Sequence, residues 1–496
     1  MAQHSSLPPA QYPYSAQKPS RFRSYCKPSM LLALASFSAI LLSGCSDVHV
    51  PGFIAAHTPP GGGGIVVADE PQAALVGRDV LARGGNAADA ATATAFALGV
   101  TLPSRASLGG GGACLISEPG QAEAKAITFL APAGQGEGER PASVPLMARG
   151  LYLLQLRYGS VHFEDVIDPA IHLARQGISV SKALAADLDA VKGPLLDDRG
   201  ALSVFGKEGN LIVGVGDQLV QTRLSSFLSR LKLAGVGDLY SGALSEVFVN
   251  QAQQSGAALT RDDLRKALPG ESAALVVEQG NYRASFLPPP ADGGLGSAMA
   301  FSHGISAEGA VQAWRQSGLA GTKAAQTFLN KSQSSAQPLP SLPASTSFIV
   351  KDHYGLAVAC TLSDNNLFGT GRIAGSTGVI LGASPQNYPK PLLSAAIIQS
   401  KGKQPVNAVL SASGQNAAAQ IVADALTKIM HDQPLSTVTS GSNEGRLNAI
   451  ICKKGQCSGT ADPRGSGLST STKAPHKGLL KNRFQTPYQN SFPHPV

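Results

Sequence analysis

Strand-like and helix-like stretches come in blocks along this 496-residue chain, with a run rich in Ser, Gln, Pro and Ala between them. From Gly63, "GGIVVADEPQAALVGRDVLARGG" reads as a strand and then a helix from Pro71 to Arg83, stopped by Gly84-Gly85. An Ala-rich helix follows from Asn86, a favourable N-cap, to Val100. "LGGGG" at 108–112 then enters the strand "ACLIS". Residues 142–267 are predicted mainly helical, because apolar residues recur at spacings of three and four. Strands return at "SAALVVEQGNYRASF", ahead of "PPPADGG" and a helix over 295–316. Beyond the linker at 320–343 come more strands, a helix over 416–431 and a hairpin near 447–460. Blocks of this kind predict a layered α+β sandwich.

The ends read differently from the middle. Residues 1–29 are polar and Pro-rich, and carry Lys18, Arg21, Arg23 and Lys27 with no acidic residue. "MLLALASFSAILLSGCS" follows: a basic n-region, an apolar stretch short for a bilayer span, and a small-residue cleavage site. Leu42-Ser43-Gly44-Cys45 resembles a bacterial lipoprotein box, in which Cys45 is lipidated and becomes the new N-terminus. The expected location is therefore the periplasmic face of a bacterial membrane, with Ser46 favouring the outer one. Residues 46–62 are expected to form a tether, and the polar tail over 469–496 to be disordered.

Loss of residues 1–44 lowers the formal net charge from +8 to +4, so half of the basic balance belongs to the targeting segment. No basic patch with interleaved aromatics points to nucleic acid. Cys452 and Cys457 flank "KKGQ" in a hairpin-like run, which suits a disulfide in an oxidising compartment. A second pair of zinc ligands is lacking there. Cys114 and Cys360 lie in apolar runs and are expected to be buried thiols. The glycine run is no P-loop, since no Lys-Ser/Thr and no helix follow it. Glycines entering a strand point instead to close approach by a backbone or ligand. No metal or cofactor site is expected.

Several motifs, in order, resemble the γ-glutamyltransferases (γ-glutamyltranspeptidases). These are "GRDVLARGGNAADAATATAFALGVTLP" with "LGGGG", the helical segment beginning "VPLMARGLYLLQLRYGS", "PPPADGG", "YGLAVACTLSDNNLFGTG", "STGVIL" and "TADPRG". The resemblance covers about 63–467. It implies a four-layer αββα N-terminal-nucleophile hydrolase, built from large and small subunits of one self-cleaved precursor. The large-subunit region would be 63–344, with the linker at its end, and the small-subunit region 345–468. The activity implied is transfer of a γ-glutamyl or related acyl group from an amide to an amine or to water. No cofactor and no nucleic acid take part.

In that family the freed α-amino group of the residue after the cut activates the same residue's side-chain oxygen, which lacks nucleophilicity without an adjacent base. Here "PASTSFIVKDHYG" offers two candidates. Counting back from Gly355 without a gap gives Ser345. Matching the family's order of Thr, small residue, larger residue gives Thr346 at the cost of one deletion, and this match is preferred. Ser363 and Asn365 in "SDNNLFGTG", and Ser394 in "PKPLLSAA", fall at positions near substrate, with Leu393 replacing the first residue of a Ser-Ser pair. The oxyanion donors fall on Gly414 and Gln415, where backbone N–H groups serve without a side chain. The Arg that binds the glutamyl α-carboxylate is missing from "ITFLAPA" (127–133), and the acidic pair for the α-amino group is missing from "VILGASPQNYPKPL". Arg105 in "LPSRASLGGGG" is a candidate substitute cation.

Overall fold

The computed structural model describes residues 56–57 and 63–473, apart from 137, 210, 403–404 and 439–443. The lipoprotein box, Cys45 and most of the C-terminal tail lie outside the described residues.

Two seven-stranded antiparallel sheets form the centre. In spatial order one runs 56–57, 456–461, 446–453, 406–413, 394–400, 282–286, 275–279, and the other runs 468–471, 65–68, 346–351, 357–363, 111–117, 125–129, 270–273. Successive side chains of a strand point to opposite faces, and here both faces of both sheets are covered. Phe348, Val350 and Val358 pack with Phe96 and Leu98 in a helical layer outside the second sheet. Ile349, Ala359, Leu115, Ile397, Val409 and Ile450 meet between the sheets. Phe286, Ile398 and Leu410 pack outward against Leu295, Met299, Val422 and Leu426. The result is the αββα sandwich that the resemblance implies.

The sequence dictates these layers locally. Helix Ala87–Thr101 is mostly apolar, has no polar face, and every residue in it is buried, so it can only sit between other elements. Asn86 caps it, accepting from the N–H groups of Ala88 (2.9 Å) and Asp89 (3.1 Å), while Asp89 returns a bond to the Asn86 N–H. The glycine run at 109–112 serves backbone approach: a Cβ at Gly111 would overlap the Phe129 carbonyl oxygen, and one at Gly112 the Thr361 carbonyl oxygen.

Several expectations change. The helix predicted over 295–316 is two helices, Gly293–His303 and Ala307–Gln316, because Gly304 turns left-handed (φ 67°) and Ser306 caps the next start. The linker contains helix Thr322–Leu329, which buries Ala325, Phe328 and Leu329. Strand Leu468–Ser471 pairs with Ile65–Ala68, so the first three residues of the expected disordered tail are a sheet edge. Within the expected tether, Ala56 and His57 pair with Gly459 and Ser458. Cys114 and Cys360 are directly opposed on neighbouring strands and form a disulfide rather than two thiols. Cys452 and Cys457 form the hairpin disulfide expected of them.

Phe348 is fully buried between the second sheet and the helices. Phe348→Ala is expected to lower stability by about 3–5 kcal/mol, since lost transfer energy and a cavity add. Urea denaturation of the variant beside the parent measures this.

Candidate active site

The linker reaches strand Thr346–Lys351 at Ser345, and that strand lies between Ile65–Ala68 and Ala357–Ser363. Alternation within the strand places Ser347 on the inter-sheet face with Ile349, and Thr346 on the opposite face with Phe348, while Ser345 lies just ahead of the strand. The two candidate hydroxyls therefore meet different surroundings.

Ser345 is buried, and its Oγ accepts from the Gly414 N–H at 3.2 Å. Directly before it, the Ala344 carbonyl accepts from the Ser363 hydroxyl at 2.7 Å. Ser363 Oγ in turn accepts from the Asn365 N–H at 3.0 Å, which orients the hydroxyl toward Ala344. A nucleophile-type oxygen, the adjacent carbonyl and two hydrogen-bond donors thus meet at one peptide bond. Gly414 has φ 101°, and a Cβ on it would overlap the Glu444 carbonyl, so its N–H is held by a conformation that only glycine adopts without strain. Gln415 keeps a positive φ of 26° where the family has a second glycine, and its side chain is exposed.

Thr346 Oγ1 donates instead to Asp69 Oδ2 at 3.1 Å. The same carboxylate accepts from the Ser347 N–H at 2.8 Å and from Asn448 Nδ2 at 2.8 Å. Asn448 Nδ2 also reaches the Ser347 carbonyl (3.0 Å) and hydroxyl (2.9 Å). Burial pushes the Asp69 carboxyl up, against hydrogen-bonding groups on Ser413, Ser347 and Asn448 and the charge of Arg105. Asp69 and Asn448 carry no motif, and sequence reading missed both. The available signal was a polar residue on the inward face of an otherwise apolar strand, "LNAII".

The other expected site residues are not gathered on one surface. Arg105 is bound by Asp187 through two contacts of 2.7 Å. It lines a cleft of about 480 Å³ together with Asp69, Lys182, Ser413 and Arg464. Asn365 spends its amide N–H groups on the Ala131 (3.3 Å) and Ala383 (3.1 Å) carbonyls, tying together the two loops where the charged head-group residues are missing. The Ser394 hydroxyl lies 2.6 Å from that of Ser297, on the helix side of its sheet. Leu393 is buried between the sheets. Among the described residues no three metal-binding side chains converge.

Asp364, between Ser363 and Asn365, is buried and accepts from the Ser107 N–H (2.8 Å) and hydroxyl (2.9 Å). Burial pushes its carboxyl up to about 7 from an ordinary 3.8. A raised folded-state value means that the folded chain holds the proton longer than the unfolded chain, so this group's contribution falls as pH rises from about 4 to about 7. Asp364→Asn keeps an acceptor for Ser107 and removes the titration. Its urea midpoint is expected to gain on the parent between pH 5 and pH 8; an unchanged difference would contradict the assignment.

A family model described as gamma-glutamyltranspeptidase matches residues 73–302. The glutathione hydrolase proenzyme of Escherichia coli is 30% identical over 380 residues, covering 64% of this chain and 65% of that protein. The glutathione hydrolase proenzyme of Bacillus subtilis is 27% identical over 295 residues, 53% of this chain and 49% of that protein. The chain thus spans less than two thirds of the length of these relatives. Among solved structures, cephalosporin acylase from Bacillus halodurans superposes with a TM-score of 0.69 at 18% identity, over 88% of this chain and 100% of that one. That likeness is one of fold.

Proposed function

We propose that this chain, similar to the γ-glutamyltranspeptidase family over residues 73–302, is an N-terminal-nucleophile amidase which cuts itself between Ala344 and Ser345. The observation that carries the reading is the pair of contacts at that bond, Ser363 hydroxyl to Ala344 carbonyl and Gly414 N–H to Ser345 Oγ. It takes Ser345 over Thr346, reversing the order-based match, because the Ser345 oxygen adjoins the Ala344 peptide and the Gly414 N–H whereas the Thr346 hydroxyl is engaged by Asp69.

In maturation, Ser345 Oγ attacks the Ala344 carbonyl carbon and its proton passes to the departing Ser345 nitrogen. The Ser363 hydroxyl stabilises the oxyanion. Water then hydrolyses the ester, leaving an Ala344 carboxylate and a free Ser345 amine. In turnover that amine takes the Oγ proton and delivers it to the leaving amine of a substrate amide. The acyl-enzyme on Ser345 passes to water or to an acceptor amine, and the Gly414 N–H is the backbone donor beside the reacting oxygen. Strands from both sides of the cut pair with one another in both sheets, so the two subunits would stay joined by sheet hydrogen bonds.

An N-acyl amide substrate is expected to leave its acyl mass on the fragment that carries Ser345, seen by intact mass of a rapidly quenched reaction. A protein that stays whole and never acquires that mass is instead a non-catalytic member that keeps the fold. We further infer lipid anchoring through Cys45 on the periplasmic side of a bacterial membrane, supported by the Leu42-Ser43-Gly44-Cys45 box. Mass spectrometry of the mature N-terminal peptide tests it, and an unmodified Cys45 contradicts it.

A further inference from the structure

Residues 330–345 form no regular element, yet they are closely held. Leu339 and Leu342 are buried among Ala300, Ala307, Val311, Leu392, Ala419 and Ala423. The Leu339 N–H donates to Glu308 Oε1 and the Leu342 N–H to Asn416 Oδ1, each at 3.0 Å. Asn416 Nδ2 donates back to the Pro340 carbonyl at 3.2 Å and to Glu308 at 2.9 Å. The chain thus lies in an apolar groove with polar groups along its edge that meet its backbone.

This segment is the acyl half of the first amide that the site would cut. Leu342 stands two residues before the reacting carbonyl, about 7 Å along an extended chain. Resting on the reading above, we infer that the groove under Leu339 and Leu342 is the acyl subsite, and that the chain acts on amides whose acyl half is apolar and peptide-like rather than a charged γ-glutamyl group. Cleavage would open it: the new Ala344 carboxylate faces a single hydroxyl, Ser363, and a charge is better served by water. The groove that remains is walled by small and apolar side chains, which suit a leucine-sized group. Glu308 and Asn416 are then free to meet the amide groups of an incoming acyl chain.

The same geometry disfavours the family's usual head group. At the two loops that lack the Arg and the acidic pair, Asn365 is occupied with main-chain carbonyls. Leu392 lines the groove itself, and Leu393 is buried in the apolar layer between the sheets. A zwitterion placed there would lose its hydration without charged partners.

The test uses the matured two-chain protein with acetyl-Leu-Pro-Ala p-nitroanilide and γ-glutamyl p-nitroanilide side by side. The peptidyl anilide is expected to show at least about tenfold higher kcat/KM. Asn416→Ala is expected to raise KM for the peptidyl anilide several-fold. Equal or better use of the γ-glutamyl anilide overturns the inference alone and leaves the amidase reading intact. A cleaved protein that turns over neither anilide overturns the inference. A chain that never cleaves overturns the reading on which it rests, and the inference with it.

Discussion

Ser345→Ala is expected to leave the chain whole and to lower amide turnover by about a thousandfold or more, as loss of a nucleophile does elsewhere. Thr346→Ala is the informative partner. It removes one hydrogen bond to Asp69, which still accepts from the Ser347 N–H and from Asn448. Such a loss costs about 1 kcal/mol, so Thr346→Ala should still mature and still turn over substrate. The asymmetry follows from the partners of the two hydroxyls: Ser345 Oγ accepts from the Gly414 N–H, whereas Thr346 Oγ1 donates to Asp69. Ser345→Thr should keep measurable activity, since it retains the hydroxyl and the α-amine. Gel analysis with initial-rate assays of the three variants separates the two nucleophile assignments. The opposite pattern, with Thr346→Ala inert and Ser345→Ala mature, would sink the one argued here.

Ser363→Ala should slow maturation by about 10²–10³-fold, the usual effect of losing one oxyanion donor. Its hydroxyl sits on the Ala344 carbonyl at 2.7 Å and is held there by the Asn365 N–H. The Ser363→Thr variant keeps a hydroxyl at that point and should recover most of the rate. That rescue distinguishes donation from mere packing, because Ser363→Val, similar in shape to Thr, should not recover it. The time course of the full-length band after synthesis reports all three variants.

The architecture was largely legible because its signals are local. The capped, Ala-rich helix at 87–101 and the glycine run at 109–112 both mean in three dimensions what they suggest in sequence. Helix 322–329 was hidden by Ser and Gln neighbours, although Ala325, Phe328 and Leu329 recur at helical spacing. Residues 469–471 read as polar tail because they are Ser-Thr-Ser, and only the ladder of strand 468–471 to 65–68 reveals the sheet edge. Pairings across long stretches of chain were not legible at all. Cys114 and Cys360 are 246 residues apart, and Asp69 and Asn448 are 379 apart. The choice between Ser345 and Thr346 belongs to the same class: it depends on what faces each hydroxyl, which spacing alone does not encode.

The most direct measurement is the N-terminal sequence of the smaller polypeptide purified from cells expressing the unaltered chain. The account predicts one sequence that opens Ser-Thr-Ser-Phe, produced by a break after Ala344. A fragment opening at Thr346, or a preparation in which every molecule remains a single intact polypeptide, would contradict it.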